Sequence, residues 1–463
     1  MTPPGKIAVL LHTHMPYVAG FGTWPFGEEW LWEAIATSYL PIAGLLDDGA
    51  PLTLSLTPVL CDQLEAPGTL DRCRAFLRDV RPASHQLDID AFTEIDHRAE
   101  ASELQRAAGL YADALGELEA IGDNLLARLE PHAAWTSSAT HAILPLLATG
   151  AGVRLQVGAG IAGHRRRFGE RWRGGFWLPE CAHGPWLDAF LEAAGVHAAC
   201  VELTDVFGLG DGRHLMPLRS PAGPLLVPID RVLIDLVWGA AGYPSRAAYR
   251  DYHHRTSRDH HPWANDGAVY DPARATEQVR VDAAEFAAAC AARVAAGGLA
   301  VLAFDTELFG HWWHEGPEFL AAFVAAAEAT GLEIAHLDDA LEGVEAAPWP
   351  AGEQRVTTWG DPRTLHTWSG PRVADFAWRQ REAELRVLGA RAGLTEAAAR
   401  ELLALQASDW AFLETRELAG PYARERFEGH AAALAAALGP VPSTDPAVAH
   451  LCPDLALAPA LEP

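Results

Sequence analysis

The 463-residue chain contains no Cys-x-x-C pair. Its six cysteines, Cys61, Cys73, Cys181, Cys200, Cys290 and Cys452, are scattered. That argues against a zinc ribbon and against a secreted disulfide scaffold. Long apolar runs are missing too. The first, Ile7–Leu11, has five residues, too short for a signal-peptide core, and no later run approaches a membrane span. Cytoplasm is the expected location, and a membrane is not an expected partner. Basic residues are scarce: 35 against 61 acidic ones, a formal net charge of −26. Such a surface repels phosphate backbones, so nucleic acid is not expected as a partner, whereas a neutral substrate meets no repulsion. No internal repeat is evident.

Apolar residues are not lacking. They make up 49% of the chain, which fits a globular protein and not a disordered one. The length suggests two or three layers or domains. Sixteen tryptophans are many for this length. Tryptophan offers flat apolar area and one N–H donor, which suits sugar rings, although a tryptophan-rich core accounts for the count equally well.

Short β-rich runs alternate with helical spacing. Ile7–Leu11, Leu52–Leu56, Ala133–Ser137, Gly175–Leu178, Ala199–Val201, Leu225–Pro228 and Gly298–Phe304 read as buried strands. Glu28–Leu46, Pro185–Ala194, Ala283–Ala296 and Pro317–Thr330 read as helices, and Leu155–Arg171 as partly helical. Alternation of this kind predicts a parallel sheet with crossovers. Between about 66 and 130 the chain turns helical and charged, as an insertion would. After about Pro348 long helices take over: Val373–Arg391, Thr395–Leu405 and Tyr422–Leu438. The expected organisation is a catalytic unit at 1–345, a helical domain at 346–440 and a loosely packed tail at 441–463.

Polar and aromatic residues recur where predicted strands end, the face at which α/β barrels gather their chemistry. His12 and His14 follow the first strand. Trp135 and His141 lie in "WTSSATHAILPLL". Glu180 and His183 lie in "GFWLPECAHGPW", where Phe176, Trp177 and Trp186 surround the carboxylate as candidates for a dry floor. "AFDTELFGHWWHEG" carries Asp305, Glu307, His311 and His314. Cleaving a glycosidic bond needs two carboxyl groups, one to protonate the leaving oxygen and one to attack or stabilise the anomeric carbon. Glu180 and Asp305 end different strands, so a closed barrel brings them face to face. Aromatic neighbours desolvate a carboxyl and raise its pKa. Each acid has an ordinary alternative, capping a helix or pairing with an arginine, and Glu307 rivals Asp305. The histidines permit another reading, a metal site of the polysaccharide-deacetylase kind.

Together the clusters resemble glycoside hydrolase family 57, most closely its 1,4-α-glucan branching enzyme branch. "LLHTHMPYV", "WTSSATHAILPLL", "GFWLPECAHGP", "AFDTELFGHWWHEGP" and "TTWGDPRTLHTW" look like the family's five motifs, in order. "EEWLWEAIATSYLP" and "LLALQASDWAFL" are similar to its flanking segments. The resemblance implies a (β/α)7 barrel with a helical insertion and a helical C-terminal domain. It implies a retaining mechanism on an α-1,4-glucan, with no metal and no cofactor. It places Glu180 as nucleophile and Asp305 as general acid/base, and carries over His12, His14 and His141 as sugar contacts. Trp177, Trp359, Trp368 and Trp410 match aromatic positions of the family cleft. Asp361 lies in a motif that departs from the usual Trp-Gly-Glu-Gly and is not carried over. Tyr243, in "VWGAAGYPSRAAYRDYHHR", is the best match for a tyrosine on the family's mobile loop. That loop is shortened here, since the chain reaches Tyr270-Asp271-Pro272 soon after Arg255. The implied activity is branching, weakened by the short loop. Hydrolysis of α-1,4-glucan on the same scaffold is the alternative, and the metal-dependent deacetylase a distant one.

Overall fold

The computed structural model describes residues 5–221, 223–439 and 448–461. Nine strands form one sheet: β1 (Lys6–Thr13), β2 (Leu52–Leu56), β3 (Ala133–Ser137), β4 (Gly175–Trp177), β5 (Ala198–Val201), β6 (Leu218–Arg219), β7 (Leu225–Pro228), β8 (Leu299–Asp305) and β9 (Ala347–Pro348). Their order is β8-β1-β2-β3-β4-β5-β7-β6-β9. Past the end of β7 the chain meets β8: Ile229 bridges Val301 in parallel, and the Asp230 N–H donates to the Val301 carbonyl at 2.8 Å. Seven parallel strands therefore close into the expected (β/α)7 barrel. β6 and β9 are two-residue additions on its outside.

The strands read as continuous apolar runs because both faces are covered. Every residue of β1 except Lys6 is buried, and so is all of β2. Each fully buried leucine or isoleucine contributes about 1.5–3 kcal/mol relative to exposure. The parallel register also sets the site. His12 of β1 pairs with Ser55 of β2 and Asp305 of β8, while Ser137 of β3 pairs with Trp177 of β4. The strands thus end nearly level, with polar side chains on the last rung.

Helices Arg81–Glu94 and Arg98–Ile121 dominate the insertion between β2 and β3. Before β2, a π-turn at Ile35–Tyr39 interrupts the helical stretch. It turns Ser38 and Tyr39 toward the segment after β8: Ser38 Oγ donates to the Thr306 carbonyl at 2.9 Å. Such bulges often occur at functional sites. The helix Gly150–Phe168 lies against the end of β3, and Gly160 permits the approach: a Cβ there would sit 2.2 Å from the Ser137 carbonyl oxygen.

Helices Ala374–Gly389, Glu396–Leu405, Ser408–Arg416 and Tyr422–Ala437 build a second core. Within it the Phe376 and Phe427 rings stack at 3.9 Å. The tail departs from the expected loose packing over part of its length. Val448, Leu451, Cys452 and Leu455 are buried in this second core, and the Cys452 N–H donates to Asp62 Oδ2 at 2.7 Å. Residues 440–447 lie outside the described residues. Among the described residues no helix is long and apolar enough to cross a membrane.

Candidate active site

A cavity of about 1830 Å³ opens at the C-terminal ends of the strands. Glu180, Asp305, His12, His14, His141 and Trp359 all line it. β4 delivers Glu180 through an unusual turn. Glu180 and Cys181 both take left-handed backbone, with φ of 59° and 48°. Such residues cost of order 1–3 kcal/mol each and persist only where neighbours hold them. Here the strap Thr357–Trp359 does so. The Trp359 N–H donates to the Glu180 carbonyl at 3.0 Å, the Thr358 hydroxyl donates to the same oxygen at 2.7 Å, and Thr357 exchanges both backbone bonds with His183 at 2.9 Å. The Trp359 indole N–H then donates to Glu180 Oε2 at 2.8 Å. Backbone and carboxylate are fixed by one segment.

Asp305 closes β8 and receives no comparable help. Burial pushes its carboxyl well above the usual range, and Glu307, Glu180 and Asp409 push it further. Burial, with Asp409, raises Glu180 too, to about 7 against the opposing pull of the Trp359 bond, His14 and Arg416. Both carboxyls are raised, but of the two only Glu180 has neighbours that favour its anion. This is the pattern by which two carboxyls take different roles. Glu307 also lines the cavity, but its Oε1 is engaged, accepting from the Tyr39 hydroxyl at 2.6 Å and the His14 N–H at 3.1 Å. Burial raises it to about 7.

The three histidines form a stack. His14 lies 4.1 Å from His141, and His12 lies 4.5 Å from Trp177, centroid to centroid. His12 Nε2 and His141 Nε2 are joined by a hydrogen bond of 3.0 Å, one ring donating and the other accepting. Burial drives both rings well below the usual histidine range, so both are neutral. Burial also disfavours charge on His14, but Asp409, Glu307 and Glu180 outweigh it and raise that ring. The remaining ring nitrogens meet Ser55, Thr57, Ser408 and Asp409 at 3.2, 3.2, 2.8 and 2.9 Å. Each of the six ring nitrogens has a protein partner. Among the described residues no three His, Cys, Asp or Glu side chains are grouped to hold a metal ion. The deacetylase reading therefore finds no ligand set here.

The aromatic residues divide. Trp359 and Trp368 line the cavity. Trp177 is fully buried beneath His12, so it supports the floor without presenting a face to a ligand. Trp410 is also fully buried and donates its indole N–H to the Ala404 carbonyl at 2.8 Å, within the second core. Trp186 is exposed outside the cleft lining, and Phe176 belongs to a core on the outer side of the sheet. Tyr243 does not reach the cleft either. It is buried against Phe286 and Phe319, at 6.0 and 5.6 Å.

Asp409 was not singled out from sequence. It bonds His14, and its other oxygen has no hydrogen-bond partner among the described residues. An aspartate in a helix's first turn usually complements the helix dipole, and that ordinary reading hid it.

The sequence profile of glycosyl hydrolase family 57 matches residues 134–348, and that of the branching-enzyme C-terminal region matches 372–444. A Mycobacterium tuberculosis protein described as "Probable 1,4-alpha-glucan branching enzyme" is 30% identical across 92% of this chain and 90% of its own length. The chain belongs to glycosyl hydrolase family 57. Two solved structures place this family 57 chain near the branching enzymes. The Pyrococcus horikoshii enzyme is 28% identical with a TM-score of 0.87, covering 99% of this chain and 97% of its own. The Thermococcus kodakaraensis enzyme, solved with glucose, is 25% identical with a TM-score of 0.88, covering 99% and 96%.

Proposed function

We propose that this family 57 chain is a retaining 1,4-α-glucan branching enzyme, acting in the cytoplasm on α-1,4-glucan. The observation that carries the reading is the pairing in one cleft of Glu180, whose anion Trp359 supports, with Asp305, whose neighbours disfavour its anion. Asp305, protonated, donates to the glycosidic oxygen while ionised Glu180 attacks the anomeric carbon. The bond to the leaving chain breaks and a glucosyl ester forms on Glu180. Asp305, now a base, takes the proton of an incoming 6-hydroxyl, whose oxygen displaces Glu180. An α-1,6 linkage results. Neutral His12 and His141, and His14 beside Asp409, are the groups placed to bind the sugar at the point of cleavage.

Water competes with the 6-hydroxyl. Tyr243, buried in the barrel core, supplies no cover in this structure, which favours a share of hydrolysis. Incubation with amylose tests both. The expected products are new α-1,6 linkages together with new reducing ends. Reducing ends without branch points would make the protein a hydrolase.

The Trp359 bond makes a second prediction. Attack needs the Glu180 anion, so kcat/KM should rise with pH through about 7 and fall again as Asp305 ionises. Trp359→Phe removes the donor that stabilises that anion. The acidic limb should move upward by about one pH unit. An unmoved limb would show that the indole does not tune Glu180.

A further inference from the structure

The cavity has two unlike sides. Trp24, Phe26, Trp30, Phe412 and Leu413 line the one toward the C-terminal helices. Trp238, Trp312, Tyr252, His261 and His311 also line the cavity, and the loop that carries Tyr252 and His261 meets the helical insertion. Trp312 and His311 belong to the segment that continues directly from Asp305. The Trp238 ring lies 6.1 Å from Trp312 and 6.2 Å from Trp359, whose indole holds Glu180. An aromatic line therefore leads from the nucleophile's partner to the insertion side.

These rings are unusually open. Trp238 and Trp312 are each 37% exposed and Tyr252 is 38% exposed; on the other side Trp24 alone among the rings is comparably open, at 51%, while most large aromatics of the described residues are buried. Exposed apolar area gathered in one cleft marks a ligand surface. Tyr252 lies parallel to His261 at 5.7 Å. Burial pushes His261 and His311 down to about 4, so both rings are neutral and suited to hydroxyl groups.

The wall bearing Tyr252 is pinned to the insertion. Asp88 accepts from Thr256, Arg258 and His260 at 2.6, 2.6 and 2.7 Å. Arg250 reaches Glu103 at 2.5 Å, and its N–H donates to Glu315 at 3.1 Å. A fixed platform needs no ordering when a chain lands on it, which lowers the cost of binding.

We infer that Trp238, Trp312 and Tyr252 form the acceptor subsite, the surface on which a second α-glucan chain lies while its 6-hydroxyl is presented to Asp305. This rests on the branching reading above. In a retaining transfer the acceptor enters where the leaving chain departed, because both engage the same acid/base. The side continuous with Asp305 is therefore the acceptor side.

The test compares Trp312→Ala, Tyr252→Ala, Tyr252→Phe and Trp24→Ala on amylose, counting branch points and lengthened chains per new reducing end. In both insertion-side alanine variants that ratio should fall at least fivefold. Tyr252→Phe should restore it to within twofold, since the ring is kept. Trp24→Ala should leave the ratio near wild type even if total cleavage falls. An unchanged ratio in the alanine variants, a phenylalanine no better than alanine, or an equal fall with Trp24→Ala would overturn the assignment. Wild-type protein that releases reducing ends without any transfer product would overturn it too, leaving the cleavage chemistry standing. Wild-type protein that leaves amylose intact would remove the branching reading itself, and this inference with it.

Discussion

Glu180→Gln should lower turnover on amylose by about 10⁴-fold or more while the protein melts within a few degrees of wild type. The side chains are nearly isosteric. A glutamine oxygen can still accept the Trp359 indole N–H that now reaches Glu180 Oε2 at 2.8 Å. The backbone straps from Thr358 and Trp359 engage the carbonyl and are unaffected. What disappears is the anion that attacks. Burial already works against that anion, so its loss should not destabilise the fold. Release of reducing ends and a thermal melt decide the matter together. Full turnover in the variant would refute the nucleophile assignment, and a collapsed melt would show that Glu180 is structural.

The second large effect concerns a residue with no chemistry. Gly310 adopts a φ of 107°, and a Cβ there would sit 1.8 Å from the Thr37 carbonyl oxygen. Thr37 belongs to the π-turn Ile35–Tyr39, whose Ser38 and Tyr39 brace Thr306 and Glu307. The clash falls on backbone, which cannot swing aside. Gly310→Ala should therefore cost about 3–5 kcal/mol, from overpacking and from the strained backbone. Because the displaced segment follows Asp305 directly, activity should fall with stability. A denaturant midpoint measures the first and amylose cleavage the second. A cost below about 1 kcal/mol would mean the contact is soft.

The barrel was largely legible because buried parallel strands leave a plain trace: Val9, Leu10 and Leu11 are apolar on both faces. Helices with sparse burial were less so. Pro272–Arg293 begins well before the expected Ala283, since its first half buries only Ala275, Val279 and Asp282 up to that point. Its start was nevertheless encoded, with Asp271 capping and Pro272 in the first turn. The pair Glu180 and Asp305 was readable from motif and chemistry together, and the structure brings both to one cleft. Which aromatic faces the cleft was not readable. Trp177 and Trp410 look like sugar platforms in sequence, yet packing buries both. Tyr252, nine positions beyond Tyr243, lines the cavity, as do Tyr111 and Tyr270. A turn's residue types say little about which side chain the fold swallows.

His14 and His141 take their partners, Asp409 and Ser408, from a helix far beyond the barrel. During synthesis the strands are all available once Pro348 has emerged, but this centre is not. Some sixty further residues must follow, roughly 3–12 s at ordinary ribosomal speed. For that interval the nascent barrel holds its carboxylates without the Asp409 and Ser408 partners of His14 and His141. The centre is therefore complete only when the helical region docks, and not when the barrel closes.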